Sequence, residues 1–355
     1  MEEKKSHTAM LDLMLQPGFI VQNNVIQKAN QAAQSLLLTP GLDVRELLLT
    51  GKEEYASFSG GCLYLTLNLS QQGWGAAVTR IDGEDVFLLE PETDQPELRS
   101  MALAARELRE SLSKVMLAAD HLLPALEADE ANKEQSARLN RGLYQIQRTL
   151  SNMSDASRYA SHSRKEACEL TGLFSEFFGK AAAFISHTGI RLTYDGPAEK
   201  IISMADPEQL ERAVLNILSN AVKFTPSEGT IDAKLTRRGK MLQLTVRDSG
   251  SGIAENILSS VFHRYLRQSA VEDGRFGLGL GMVLIRSAAA NHSGTVLIHQ
   301  SEGSGTCVTL TMAISQNADP MVRSPRLRVD YAGERDHMLL ELSDVLPASA
   351  YETDI

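Results

Sequence analysis

The stretch that decides the fold is a helix-patterned run rich in amide side chains. Residues 208–223 read Glu-Gln-Leu-Glu-Arg-Ala-Val-Leu-Asn-Ile-Leu-Ser-Asn-Ala-Val-Lys. Apolar residues recur there every three or four positions, which predicts an amphipathic helix. Asn216, Asn220 and Lys223 stand at i, i+4 and i+7 and therefore share one face. Such a face suits a hydrated Mg²⁺ and its phosphates, although an ordinary exposed polar face has the same pattern.

Two glycine motifs follow this helix. Residues 248–252 read Asp-Ser-Gly-Ser-Gly at the end of an alternating strand. A carboxylate there can accept a hydrogen bond from an adenine amino group, and the glycines let the backbone approach the base. Residues 277–281 read Gly-Leu-Gly-Leu-Gly before a predicted helix, whose N-terminal N–H groups favour phosphate. The polar stretch between them, 255–276, is typical of a mobile lid.

In this order the motifs resemble the nucleotide-binding boxes of histidine kinases, within the GHKL superfamily of ATPases. The resemblance implies ATP and Mg²⁺ as ligands and an α/β-sandwich domain over residues 165–313. It also implies that Asn220 binds Mg²⁺ and that Asp248 reads the adenine. The other expected ATP-binding residues are Asn216, Lys223, Gly250, Gly252, Phe262, Arg264, Arg267, Gly277, Leu278, Gly279 and Gly281. Arg275 departs from the pattern, since many relatives have a further glycine there.

The preceding region, residues 94–161, is predicted to form a helical hairpin. Apolar positions repeat with 3-4-3-4 spacing in two runs, separated by a polar connection that begins at Pro124. The two runs are Leu98, Met101, Ala105, Leu108, Leu112, Val115, Ala119 and Leu122, then Leu139, Leu143, Ile146, Leu150, Met153, Ser157 and Ala160. So narrow a stripe predicts pairing into a four-helix homodimer, with one hairpin packed on its own chain as the alternative.

The first hairpin helix carries an altered acceptor motif. Residues 106–112 read Arg-Glu-Leu-Arg-Glu-Ser-Leu, whereas histidine kinases have His-Glu-Leu-Arg-x-Pro-Leu. By this resemblance Glu107 matches the family's proposed general base, Arg106 replaces the phosphoacceptor histidine, and Ser111 replaces the proline. A guanidinium stays protonated and is a poor nucleophile, so Arg106 is not expected to be phosphorylated.

Two functions therefore remain open. The first is a sensor histidine kinase of a two-component system, which transfers phosphate from ATP to a protein, either in trans or on an unusual acceptor of its own. The alternative is an ATP-binding pseudokinase or scaffold that regulates a partner without phosphotransfer. A response regulator or a paired kinase is the expected partner. A stand-alone ATPase ranks last, because Glu211 is a poor match to the catalytic glutamate of such relatives.

The two ends of the chain have strand-like patterns. Residues 8–92 contain β-like runs at 19–21, 64–69, 76–80 and 85–89, with helices predicted at 30–38 and 44–49. This order resembles a PAS domain, which implies a sensor with a small ligand or an empty domain used for dimer contacts. Residues 314–355 are predicted to form a linker and a β-hairpin, because residues 327–331 and 338–342 alternate around an Ala-Gly-Glu-Arg turn. The chain is therefore assigned to the α+β class.

Composition narrows the remaining possibilities. A chain of 355 residues with 43% hydrophobic and 23% charged residues is ordinary for two or three globular domains. A net charge of −10 argues against a nucleic-acid partner. No secretory signal or membrane-spanning run is apparent, which predicts a cytoplasmic protein without a membrane partner. Cys62, Cys168 and Cys307 lack ligand spacing and are expected to be reduced structural thiols.

Overall fold

The computed structural model describes residues 11–12, 14–92, 96–161, 163–253, 279–301, 304–315 and 336–352. This part of the chain contains a ten-stranded sheet, a two-stranded sheet, two long helices and several shorter ones. The predicted α+β class is confirmed. None of the described helices combines the length and the apolarity that crossing a bilayer requires.

The N-terminal part is an antiparallel sheet with short helices. Its elements are β1 (Gly18–Gln22), β2 (Val25–Ala29), α1 (Gln31–Ser35), α2 (Val44–Leu47), α3 (Lys52–Ala56), β3 (Cys62–Leu69), β4 (Gln72–Ile81) and β5 (Glu84–Pro91). The strands lie in the order β2-β1-β5-β4-β3. Three two-residue turns, at 23–24, 70–71 and 82–83, have both residues at positive φ, which suits the right-handed twist of hairpin strands. The four predicted strands and two predicted helices are present, whereas β2 and α3 were not predicted.

The predicted hairpin is present as two helices, α4 (Pro96–Glu127) and α5 (Glu130–Ser161). The predicted break at Pro124 is wrong, because α4 continues through this residue to Glu127. The Pro124 ring removes one backbone hydrogen bond, and the helix ends within one further turn. The turn between the helices is therefore shorter than the sequence indicated.

Only part of the predicted apolar stripe is buried between the two helices of the hairpin. Its core combines residues of both helices: Ala105, Leu112, Met116, Ala119, Leu123, Leu143 and Leu150. Leu108, Val115 and Leu122 of α4, and Leu139 and Ile146 of α5, are between 51% and 61% exposed. We call these five residues the exposed seam. Their seven-residue spacing on each helix keeps them in line along the hairpin.

The C-terminal half is a sheet with helices packed on one face. Its elements are β6 (Glu166–Glu169), α6 (Leu170–Ser186), β7 (Arg191–Asp195), β8 (Ile202–Ala205), α7 (Pro207–Phe224), β9 (Thr230–Arg238), β10 (Met241–Asp248), α8 (Leu280–Asn291), β11 (Val296–Gln300) and β12 (Thr306–Ala313). Five strands lie in the order β11-β12-β10-β9-β7, and β7 pairs with β9 in parallel. Leu242, Leu244 and Val246 alternate along β10 and share one core with α7. Asp206 caps α7 by accepting from the Gln209 N–H at 3.1 Å.

The two sheets are joined edge to edge. Strand β3 pairs antiparallel with β11, and Tyr64 lies opposite Val296. Strand β3 is buried on both faces, because Leu63 and Leu65 enter the N-terminal core while Cys62 and Tyr64 enter the other. Helix α8 adds a polar contact at this junction, where buried Arg286 lies 2.5 Å from Glu90 of β5 and over the Tyr64 ring.

The predicted C-terminal β-hairpin is wrong where the structure describes it. Residues 338–341 belong to a helix, α9 (His337–Glu341), and a 3-10 turn follows at Ala348–Tyr351. Asp336 begins this helix by accepting hydrogen bonds from the N–H groups of Met338 and Leu339. The alternating apolar residues are all buried because the segment packs between α5 and α7. The first strand of the predicted hairpin, residues 327–331, lies outside the described residues.

Candidate nucleotide-binding site

Helix α7 presents the predicted amide face toward α8. Asn216 is buried, and its Nδ2 donates to the Arg212 carbonyl at 2.8 Å, so its Oδ1 points away from its own helix. Asn220 is exposed one turn further on, and Lys223 is half-buried. The Lys223 ammonium lies 5.8 Å from the ring centroid of Phe224, at the end of the helix. Along this face of α7, the buried amide of Asn216 is thus followed by the exposed Asn220 and the half-buried Lys223.

Asp248 is held in place by backbone donors. Its Oδ1 accepts from the Gly250 N–H at 2.9 Å and from the Thr306 N–H at 3.0 Å. Burial raises the pKa of this carboxyl, and the backbone hydrogen bonds act in the opposite direction. Both of these bonds end on Oδ1, so Oδ2 can accept a hydrogen bond from an amino group of a ligand.

Glycines bring three chain segments against Asp248. A Cβ on Gly250 would lie 2.4 Å from the Phe224 carbonyl, so only glycine lets this turn pack on the end of α7. Gly305 has φ +97°, and a Cβ there would lie 2.0 Å from the Asp248 carbonyl. The sequence reasoning missed Gly305 and Thr306. No short motif marks them, because Thr306 is the first residue of β12 and its contact with Asp248 spans 58 residues.

The start of α8 lies against Asn216. Gly279 precedes the helix with φ +70°, a left-handed conformation that glycine adopts without strain. A Cβ on Gly281 would lie 2.7 Å from the Asn216 Oδ1, so glycine is needed for this close approach. The N–H groups at the start of α8 therefore lie beside the amide face of α7, which is an arrangement suited to phosphate.

The described site is thus built from α7, the turn after β10, the start of β12 and the start of α8. Its contacts form two groups, one of Asn216 with the start of α8 at Gly279 and Gly281, and one of Asp248, Gly250 and Gly252 around Gly305. Helix α7 connects the groups, because its last residue Phe224 lies against Gly250, and Asn220 and Lys223 stand between them along the helix. The remaining predicted positions lie outside the described residues: Phe262, Arg264, Arg267, Gly277 and Leu278, together with Arg275.

The stretch that resembles the acceptor motif is separate from this group. Arg106 and Glu107 are exposed on α4. Leu280, at the start of α8, packs in a cluster with Leu98 of α4 and Tyr159 of α5. Arg106 follows Leu98 by eight residues, which is about 12 Å along a helix axis. The start of α8 therefore packs against the base of the hairpin, below the acceptor position.

Comparison with known families defines the class of this site. Residues 205–316 match the family described as histidine kinase-, DNA gyrase B-, and HSP90-like ATPases. The matched range contains the amide helix, both glycine motifs and the closing strands. This chain therefore carries an ATPase domain of that class.

Individual relatives identify the type of domain more narrowly. A sensor-like histidine kinase of Rhizobium meliloti is 31% identical over 187 residues, which are 48% of this chain and 36% of that protein. The sensor-like histidine kinase SenX3 of Mycolicibacterium smegmatis is 24% identical over 224 residues, 62% of this chain and 58% of that protein. Both of these similar proteins are named sensor-like histidine kinases. The chain spans less than two thirds of either relative's length.

A solved structure supports the fold. Full-length ShkA in complex with AMPPNP superposes with a TM-score of 0.50 at 20% identity, covering 63% of this chain and 47% of that one.

Proposed function

We propose that this chain is a sensor histidine kinase-like protein that binds ATP with Mg²⁺ and transfers its γ-phosphoryl group to a protein. The observation that carries the proposal is the convergence of Asp248, the α7 amide face and the start of α8 on one site. Asp248 Oδ2 would accept from the adenine amino group, and the α8 N-terminus would bind phosphates. The resemblance to histidine kinases supports a response regulator or a paired kinase as the partner.

The side chains present suit a hydrated Mg²⁺. An amide oxygen is a ligand that Mg²⁺ accepts, and the ion keeps several waters and binds substrate phosphates. Asn220 is exposed on the same face as Asn216 and would supply that oxygen, while Lys223 would contact phosphate as a point charge. The ion would screen the phosphate charges and orient the γ-phosphoryl group.

A pseudokinase is the second candidate, and one observation favours it. Arg106 occupies the acceptor position and is exposed on α4, without a lone pair for attack on phosphorus. In this alternative, nucleotide binding at the same site changes the position of the ATPase domain and regulates a partner without phosphotransfer.

Two measurements on the full chain test the proposal. Titration with ATP is expected to show affinity that depends on Mg²⁺. Incubation with γ-labelled ATP is then expected to label a response regulator or a paired kinase. Nucleotide binding without any labelled protein would favour the pseudokinase, and absence of Mg²⁺-dependent binding would exclude both candidates.

The exposed seam supports a homodimer of the hairpin. Five apolar residues, each more than half exposed and aligned at heptad spacing, match the stripe that a parallel pair of hairpins would bury. The five-stranded N-terminal sheet with its short helices supports a PAS-like sensor domain.

Val115→Glu is expected to weaken this dimer by at least about 100-fold, because two apolar side chains per dimer are lost and two carboxylates are buried in their place. The measurement is the monomer–dimer equilibrium by analytical ultracentrifugation. Leu103→Glu is the matched control, since Leu103 is 65% exposed but lies about 120° away around α4. Equal dissociation in both variants would contradict an interface at the seam.

A further inference from the structure

The C-terminal segment, residues 336–352, occupies a built surface between the hairpin and the ATPase domain. Three side chains of α5 donate four hydrogen bonds to its main-chain carbonyls. Asn140 donates to the Tyr351 carbonyl at 2.8 Å, Gln145 donates to that of Ser343 at 3.1 Å, and Arg141 donates to those of Ser343 and Asp344 at 2.9 and 3.0 Å. One face of α5 is therefore hydrogen-bonded to the backbone of this segment between Ser343 and Tyr351.

Apolar side chains anchor the same segment. Tyr351 is buried, its ring packs edge-on against Tyr144 of α5 with centroids 5.1 Å apart, and its hydroxyl donates to the Leu339 carbonyl at 2.7 Å. Leu342 and Leu346 are fully buried in the core that the ATPase domain shares with α9. The segment is thus packed against both the hairpin helix α5 and the ATPase domain.

The Glu341 carboxylate of the segment links α5 to the ATPase domain. Glu341 is fully buried, with one oxygen 3.5 Å from the Arg148 Nε of α5 and the other 2.9 Å from the Arg212 Nη1 of α7. Burial by itself raises the pKa of this carboxyl, but the charges of Arg212 and Arg148 outweigh it and lower the pKa. Without the carboxylate, the two buried guanidiniums would lose the one charge they share, while Arg212 kept Asp155 and Arg148 kept Asp344.

Arg212, the ATPase-domain partner of Glu341, lies one helical turn before Asn216 of the candidate nucleotide site. Arg212 also binds α5 directly, with its Nη2 2.9 Å from both Asp155 Oδ2 and Asn152 Oδ1. Its carbonyl accepts the hydrogen bond that fixes Asn216. A change at Glu341 therefore acts on the residue that positions the first amide of the site.

We propose that residues 336–352 are a latch that fixes the ATPase domain against α5 through Glu341, and that release of the latch frees the domain to move relative to the hairpin. The proposal concerns domain position, so it stands whether or not phosphate is transferred.

The test uses two spin labels on the full chain, at Thr149→Cys on α5 and Arg238→Cys on the ATPase domain, with an excess of unlabelled chain so that the measured distance lies within one chain. Both positions are exposed, whereas the three native cysteines are buried, and the pKa values of all three thiols are raised by burial. A single narrow distance distribution is expected in the otherwise unchanged chain. Glu341→Gln is expected to broaden this distribution at least twofold or to add a second, longer distance.

Asp344→Asn is the matched control. Asp344 also pairs with Arg148, but it is half exposed and contacts no arginine of α7, so its neutralisation should leave the distribution narrow. An unchanged distribution in Glu341→Gln, or equal broadening in both variants, overturns the proposal. If Glu341→Gln loses its native circular dichroism, Asn140→Ala serves as the second variant at the far end of the latch, with the same two outcomes.

Discussion

Asp248→Asn is expected to lower the affinity for adenine nucleotides by about 100-fold, which corresponds to about 3 kcal/mol. The Asn oxygen can still accept from the Gly250 and Thr306 N–H groups, so the turn should keep its conformation. Its amide nitrogen would then replace Oδ2 and face the adenine amino group, donor against donor. Titration calorimetry with a non-hydrolysable ATP analogue measures the loss.

Asp232→Asn is the control for this substitution, because Asp232 is exposed on the neighbouring strand β9 and its side chain bonds Thr193. A change of less than about threefold in Asp248→Asn would contradict the assigned role.

The pH dependence of nucleotide affinity gives a second test of Asp248. Since burial raises the pKa of Asp248, affinity should fall as the pH is lowered through that raised value, because protonation removes the acceptor.

Arg106→His is expected to change a chain that does not label itself with γ-labelled ATP into one that does. The guanidinium stays protonated at all ordinary pH values, whereas a neutral imidazole has a lone pair near pH 7. Position 106 is exposed on α4, and Glu107 beside it is retained, so the substitution changes the acceptor and little else. Acid-labile incorporation of label measures the gain.

Glu110→His is the matched control, because residue 110 is also exposed on α4, one turn beyond Arg106. Label in Arg106→His alone would show that the acceptor was the missing part. No label in Arg106→His, in a sample that binds ATP, would mean that the machinery is incomplete elsewhere and would favour the pseudokinase.

The sequence predicted well those features that depend on neighbouring residues. Helix α7, the hairpin helices and the N-terminal strands follow from apolar periodicity, and Gly250 and Gly281 from motifs whose close approaches exclude a Cβ. Thr306 was missed because its contact with Asp248 spans 58 residues and carries no motif. The C-terminal hairpin was mispredicted because an alternating pattern also fits a short helix buried on several sides.

By itself the sequence determined the α+β class, the amide helix and the two glycine motifs, because periodicity and local backbone requirements are encoded within a few residues. Tertiary structure alone decided that β3 and β11 join two sheets, that five residues of the hairpin stripe stay exposed, and that Glu341 lies between Arg148 and Arg212. These features bring together residues far apart in the chain. Pairing of strand edges and burial of charge depend on which surfaces meet, and the residue pattern within one segment does not specify that.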